Sequence, residues 1–379
     1  MSDIVTLKAL IVDDSAMHRK IVQEVLETFP YIEVVGVAQN GKIALSKAVS
    51  FKPDLLTLDI EMPEMDGLEV LERLRHELPE AVAIVFSAFT TEGARITLRA
   101  LELGAFDFIP KPSTGNLMEN RERFKSAIAP MLEALLRSKR TKPIVKEASV
   151  YPKNQIVTNS GQIGLRRHLV ISKAVAIGIS TGGPVALAKL IPNIPADIGV
   201  PIFIVQHMPP MFTDALAAKL NSLGGISVKE AINGEVICAN TVYIAPGGKQ
   251  MKVAALYPDN LLVIQITDDP PENNCKPSVD YLFRSIARHY GKYATGVIMT
   301  GMGYDGTEGL KLMRQNGAMI IAQDESTCAV YGMPRKPVEI GIVDVIAPLD
   351  LIAVEICRTV SRNIMNHGLF IHNSADTRS

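Results

Sequence analysis

Short apolar runs alternate with amphipathic stretches along most of the chain. From Lys8 to about Arg137 the alternation repeats five times. The runs "KALIVDD", "IEVVGVA", "DLLTLD", "AVAIVFS" and "FDFI" read as strands. The segments "AMHRKIVQEVLETF", "GKIALSKAVSF", "GLEVLERLRHEL", "GARITLRALELG" and "LMENRERFKSAIAPMLEALLR" carry helical spacing. Strands this apolar are covered on both faces. Parallel neighbours need helical crossovers, so the pattern predicts an α/β, doubly wound, mostly parallel sheet.

The pattern breaks near Ser138. The stretch from there to about His168 is polar and basic with no steady period, which reads as a linker. A second α/β run begins at Lys173. Its strand-like pieces include "KAVAIGI", "VPIFIVQH", "TVYIAP", "YATGVIMT" and "AMIIAQD". Its helix-like pieces include "PVALAKLI", "FTDALAAKLNSL" and "VDYLFRSIARHY". "KVAALYP" and "LLVIQIT", joined by Asp259 and Asn260, suit an antiparallel hairpin. The expected organisation is one module over 1–137, a linker over 138–168, a larger Rossmann-like α/β/α module over 169–366 and a polar tail over 367–379.

Composition narrows the partners. Hydrophobic residues make up 47% of the 379 and the formal net charge is −1, so sizeable cores are expected and the whole-chain charge argues against nucleic acid. The N-terminus lacks the features of a signal peptide, and no apolar run reaches the ~20 residues of a membrane helix. The expectation is a cytoplasmic protein with no membrane insertion. None of the four cysteines (Cys238, Cys275, Cys328 and Cys357) forms a CxxC or lies at metal-ligand spacing from a histidine, and they read as reduced thiols.

In open α/β sheets ligands sit outside the carboxyl ends of the strands, so the polar residues there carry the chemistry. In the first module these are Asp13 and Asp14, then Asp59, then Ser87, with Lys111 after the last strand. Taken singly, each acid would read as a solvated strand end or a helix cap. Three converging carboxylates repel unless a cation joins them, and oxygen-only ligands suit Mg²⁺. With a metal and Lys111 offsetting charge, a carboxylate can attack a phosphoryl group, and Asp59 is the candidate.

These residues, with "VDDS", "LDIEMPEMDG", "FSA" and "GAFDFIPKP", closely resemble the receiver domain of bacterial response regulators. The resemblance covers about Leu7 to Arg137 and implies a flavodoxin-like fold. It also implies Asp59 as phospho-acceptor, Asp13 and Asp14 as further Mg²⁺ ligands, Ser87 and Lys111 as sensors of the phosphoryl group, and Phe108 as a switching aromatic.

The second module delivers Ser180, His207 and Asp305 to one rim. Gly178 to Gly182 fits G-x-S-x-G, a turn too tight for side chains. A glycine-rich strand-to-helix turn also suits a phosphate. Here no lysine follows the glycines and G-x-G-x-x-G is absent, so the spacing favours a nucleophilic serine. Serine needs a base, and the imidazolium so formed needs an anion. Of the seven histidines only His207 ends an apolar strand. Asp305, before Gly306, also fits a helix cap. The glycine-rich "TGMGYDG" can supply oxyanion N–H groups, with Met302 as a candidate donor.

The motifs "AIGISTGGP", "QHMPPMFT", "YIAPGG", "SVDYLFRS", "MTGMGYDG" and "AQDESTCAVYGMP" resemble the catalytic domain of chemotaxis protein-glutamate methylesterases of the CheB type, over about Ala174 to Ala347. The resemblance implies Ser180 as nucleophile, His207 as base, Asp305 as its orienter and Met302 as an oxyanion amide. It implies no cofactor in this domain. The expected substrates are glutamyl methyl esters, and glutamines for deamidation, on the cytoplasmic helices of methyl-accepting chemoreceptors. The expected phosphodonor is a chemotaxis histidine kinase, with the receiver inhibiting the esterase until Asp59 is phosphorylated. Two alternatives remain at this stage. One is a response regulator with a DNA-binding or other non-catalytic output. The other is an esterase for a different methylated protein.

Overall fold

The computed structural model describes residues 6–111, 116–140 and 170–361. The first module runs β1 (Leu7–Val12), α1 (Ala16–Leu26), β2 (Ile32–Ala38), α2 (Gly41–Phe51), β3 (Leu55–Asp59), α3 (Gly67–Glu77), β4 (Val82–Ser87), α4 (Thr91–Glu102), β5 (Asp107–Pro110) and α5 (Leu117–Arg140). Its strands form one parallel sheet in the order β2-β1-β3-β4-β5. Local chemistry starts the helices where the pattern expects them. Ser15, Asn40, Asp66 and Thr90 each accept a backbone N–H three residues on, capping α1 to α4. Each such cap is worth about 1 kcal/mol.

The second module runs β6 (Ala174–Ile179), α6 (Gly183–Leu190), β7 (Ile202–Gln206), α7 (Phe212–Ser222), β8 (Ser227–Glu230), β9 (Thr241–Ile244), β10 (Gln250–Leu256), β11 (Leu261–Thr267), α8 (Val279–Tyr290), β12 (Ala294–Ile298), α9 (Thr307–Gln315), β13 (Met319–Gln323), α10 (Arg335–Glu339), β14 (Val345–Ala347) and α11 (Leu349–Val360). Seven strands form a parallel sheet in the order β14-β13-β12-β6-β7-β9-β8. The strands β10 and β11 pair antiparallel as a separate two-stranded sheet. All six residues of β6 are buried, as expected for a central strand covered on both faces.

The architecture agrees with the two-sheet expectation, and differs in detail at the edges. The three-residue strand β14 and the five-residue helix α10 escaped the pattern because neither is long enough to show a period. The helix α5 continues through the first three positions of the expected linker. The rest of that linker and the tail lie outside the described residues. No helix among the described residues is long and apolar enough to cross a membrane.

Each sheet has a point where the strand order reverses direction. In the first it lies between β1 and β3, in the second beside β6. Side chains at the carboxyl ends of those strands face an open crevice rather than a crossover.

Candidate functional site

The first crevice gathers Asp13 after β1 and Asp59 at the end of β3, both almost fully buried. Lys111 Nζ lies 2.6 Å from Asp59 Oδ2 and 3.6 Å from Asp13 Oδ2. His18 Nδ1 lies 2.5 Å from the same Asp13 oxygen. Burial pushes Asp59 up to about 6, against the pull of Lys111. Burial acts the same way on Asp13, but His18 and Lys111 outweigh it and hold that carboxyl below its ordinary value. One carboxylate oxygen from each of Asp13, Asp14 and Asp59 lies within 4.8 Å of the others. Such an all-oxygen, acidic donor set fits a hard divalent cation.

Ser87 belongs to this rim, and its hydroxyl is engaged by α4. It donates to Gly93 O at 3.0 Å and accepts from Thr97 Oγ1 at 2.5 Å. Phe108 on β5 points elsewhere. It stacks on Phe212 of α7, with ring centroids 4.6 Å apart and planes 21° apart.

That stacking is part of a contact between the two modules. Phe89 also meets Phe212, at 6.1 Å between centroids. Lys219 of α7 pairs with Glu102 of α4 at 2.8 Å. Thr181 Oγ1 donates to Asp107 Oδ2 at 2.6 Å. Burial pushes Asp107 up to about 6, opposed by that bond and by the Phe108 N–H.

Thr181 adjoins Ser180, which follows β6. The turn there requires glycine. Gly182 has φ 77°, and a Cβ on Gly183 would lie 1.8 Å from Gln206 Oε1. Gln206 uses its Nε2 to hold Ser180 O at 3.0 Å, and Ser180 N donates to Thr300 O at 3.0 Å. The β6–β7 register pairs Ile179 with Gln206, which sets Ser180 and His207 side by side just past the sheet. Among the described residues Ser180 Oγ makes no hydrogen bond.

His207 Nε2 lies 2.9 Å from Asp305 Oδ2. Burial pulls the imidazole pKa down, but Asp305 and then Cys275 outweigh it and raise it to about 9. Asp305 is buried, and its pairing with His207 overcomes desolvation and holds it at about 2. The carboxylate also accepts from Ser278 Oγ and Asn273 Nδ2 at 2.9 Å each, from Val279 N at 2.6 Å and from Asp280 N at 3.2 Å. Asp305 therefore does sit at a helix N-terminus, where an anion is favoured. The helix is α8, whereas the sequence position suggested α9, whose N-cap is Gly306. The backbone N–H of Met302, between β12 and α9, donates to no described residue.

Sequence reasoning missed several members. Asn273, Ser278, Thr181 and Asp107 are polar residues in loops or at element ends, with no spacing that ties them to the serine. Cys275 is the sharpest case. Its Sγ lies 3.7 Å from His207 Nδ1 although 68 residues separate them in the chain. A spacing rule for metal ligands cannot detect a pair brought together only by the fold.

The chain matches two family profiles, CheB methylesterase over residues 175–356 and response regulator receiver domain over residues 9–122. A protein-glutamate methylesterase/protein-glutamine glutaminase of Desulfotalea psychrophila is 48% identical over 367 residues, covering 93% of this chain and 98% of that protein. One of the same description from Halalkalibacterium halodurans is 43% identical, covering 94% of this chain and 99% of that protein. Among solved structures, the CheB methylesterase catalytic domain of Thermotoga maritima is 39% identical. It covers 50% of this chain and 98% of its own, with a TM-score of 0.48.

Proposed function

The chain belongs to the CheB family of protein-glutamate methylesterases, and from that membership we propose how its two rims divide the work. It is a receiver-bearing protein-glutamate methylesterase/protein-glutamine glutaminase of chemotaxis adaptation. The substrates in this reading are glutamyl methyl esters and glutamines on the cytoplasmic helices of chemoreceptors. The two domains span 1–137 and 169–366.

Ser180 Oγ attacks the ester carbonyl. His207 takes the hydroxyl proton at Nδ1, because Nε2 is engaged by Asp305. Asp305 orients the ring and stabilises the imidazolium. The Met302 N–H receives the tetrahedral oxyanion. His207 returns the proton to the leaving methoxide, and methanol departs. Water, activated in turn by His207, cleaves the acyl-enzyme to the glutamate carboxylate. With a glutamine the leaving group is ammonia. The Ser180–His207 bond forms as substrate enters, which is common for catalytic hydrogen bonds that are loose in the free enzyme.

Asp59 is the phospho-acceptor, with a chemotaxis histidine kinase as donor. Asp13, Asp14 and Asp59 would hold Mg²⁺, which would screen the charge of the incoming phosphoryl group. Lys111 then moves from the Asp59 carboxylate to the phosphoryl oxygens. Ser87 turns toward them and leaves Gly93 and Thr97, which loosens α4. Because α4 and Phe108 form the contact with α7, the same event weakens the receiver's hold over the esterase rim.

The observation that carries this reading is the pairing of His207 with the buried Asp305 beside Ser180 at the reversal point of the larger sheet. Its test is methanol release from a methylated receptor fragment. Ser180→Ala should abolish release while leaving Asp59 phosphorylation intact. Full release from this variant would overturn it.

A further inference from the structure

We propose that Cys275 and His207 form an inhibitory site for a thiophilic divalent cation such as Zn²⁺, seated on the nitrogen the esterase needs as its base. The distances fit. Zinc binds sulfur at about 2.3 Å and imidazole nitrogen at about 2.0–2.1 Å, so a tetrahedral centre spans about 3.6 Å between the two donors. Cys275 Sγ and His207 Nδ1 are already 3.7 Å apart.

The surroundings favour the same outcome. Histidines that ligate metals commonly give their other ring N–H to a carboxylate, which fixes the tautomer and raises basicity. Asp305 accepts that N–H from Nε2, which leaves Nδ1 as the ring nitrogen nearest the sulfur. His207, Cys275 and Asp305 form one cluster with a ligand atom from each within 4.8 Å of the others, Asp305 bracing the ring at Nε2 while Cys275 lies at Nδ1. The site is reachable by a small cation, since His207 keeps 15% side-chain exposure and Cys275 is only half-buried. On binding, the thiol proton and the Nδ1 proton of the charged ring leave to solvent, the Cys275 Sγ–metal bond forms, and Nδ1 donates its freed lone pair. No electron changes hands. The other three cysteines belong to no such cluster among the described residues.

The inhibitory consequence rests on His207 being the base; the binding itself does not. The test uses the full chain in excess Mg²⁺ with a phosphodonor. Zn²⁺ should suppress methanol release reversibly, with chelator restoring it. Cys275→Ala, measured against its own metal-free rate, should need at least about tenfold more zinc. Binding is read separately with Co²⁺, which should give a sulfur-to-cobalt charge-transfer band in wild type and in Ser180→Ala. The band should vanish in Cys275→Ala and persist when Cys238 is replaced by Ala. Absence of the band in wild type, or equal zinc sensitivity in Cys275→Ala, would overturn the site and leave the esterase mechanism untouched. A cysteine-dependent band without loss of activity would overturn the inhibition and count against His207 as base.

Discussion

Thr181, the residue after Ser180, donates a hydrogen bond of 2.6 Å to Asp107 of the receiver domain. The receiver thus reaches the residue beside the proposed nucleophile with an ionisable group. With the Phe108–Phe212 stack, that bond joins the two domains.

Replacing both receiver partners should release the esterase. One hydrogen bond and one aromatic pair are each worth about 1 kcal/mol, together about 2 kcal/mol, or a roughly 30-fold shift in the closed–open equilibrium. The doubly substituted chain Asp107→Ala/Phe108→Ala should show a several-fold higher rate without phosphodonor and little further stimulation with it. An unchanged basal rate would rule out this contact as the brake.

The contact should also depend on pH. Burial raises Asp107 to about 6, above its ordinary value, so the closed form favours the protonated carboxyl. That advantage is full in acid and is lost as pH rises through about 6, where closure must bury a charge. The ratio of basal to phosphodonor-activated rate should climb as pH rises from the ordinary Asp range to about 6 and level off above it. Dividing the rates cancels the titration of His207. Asp107→Asn should flatten the ratio, and a wild-type ratio that stays level would contradict the assignment.

His207, the proposed base, imposes a second pH dependence. With His207 raised to about 9, the neutral imidazole is scarce at pH 7 and kcat/KM should rise towards pH 9. Asp305→Asn removes the largest raising influence, so the rise should move to lower pH while the rate falls by about 10²–10⁴. Cys275→Ala should move the rise the same way by less. A profile unmoved by Asp305→Asn would show that another group titrates.

At the proposed phospho-acceptor, burial raises Asp59 to about 6, so above that pH the folded receiver carries an unfavourable buried charge. The penalty is absent below the ordinary Asp range and complete above pH 6. Asp59→Asn should raise the melting temperature at pH 8 by a few degrees and change it little at pH 4. It should also abolish stimulation by phosphodonor. Calorimetry at the two pH values, alongside the activity assay, checks both statements.

Much of this was legible in the chain because the strands deliver the chemistry. Asp59, Ser180 and His207 each end or directly follow an apolar run, and the crevice rule then places them on a rim. Asp305 was legible as a residue but not as a contact, since its anchor is α8, formed 25 residues earlier. Ser87 was legible as a rim residue, but its orientation toward Gly93 was not, because that depends on the turn of α4. Cys275 and Asp107 were not legible at all. Their partners are tertiary neighbours, and neither position bears a pattern that a single chain can display.

Phe212 has a further consequence. It is fully buried, and a single apolar cluster runs from Phe108 of the receiver through it to Leu216 and the esterase core. In the resting state the two domains share hydrophobic interior as well as touching at their surfaces. Heat should then melt the resting chain in one cooperative transition. Phosphorylation, by parting that interior, should resolve the endotherm into two, and the separation between the peaks gives a thermometer of how far the domains have parted.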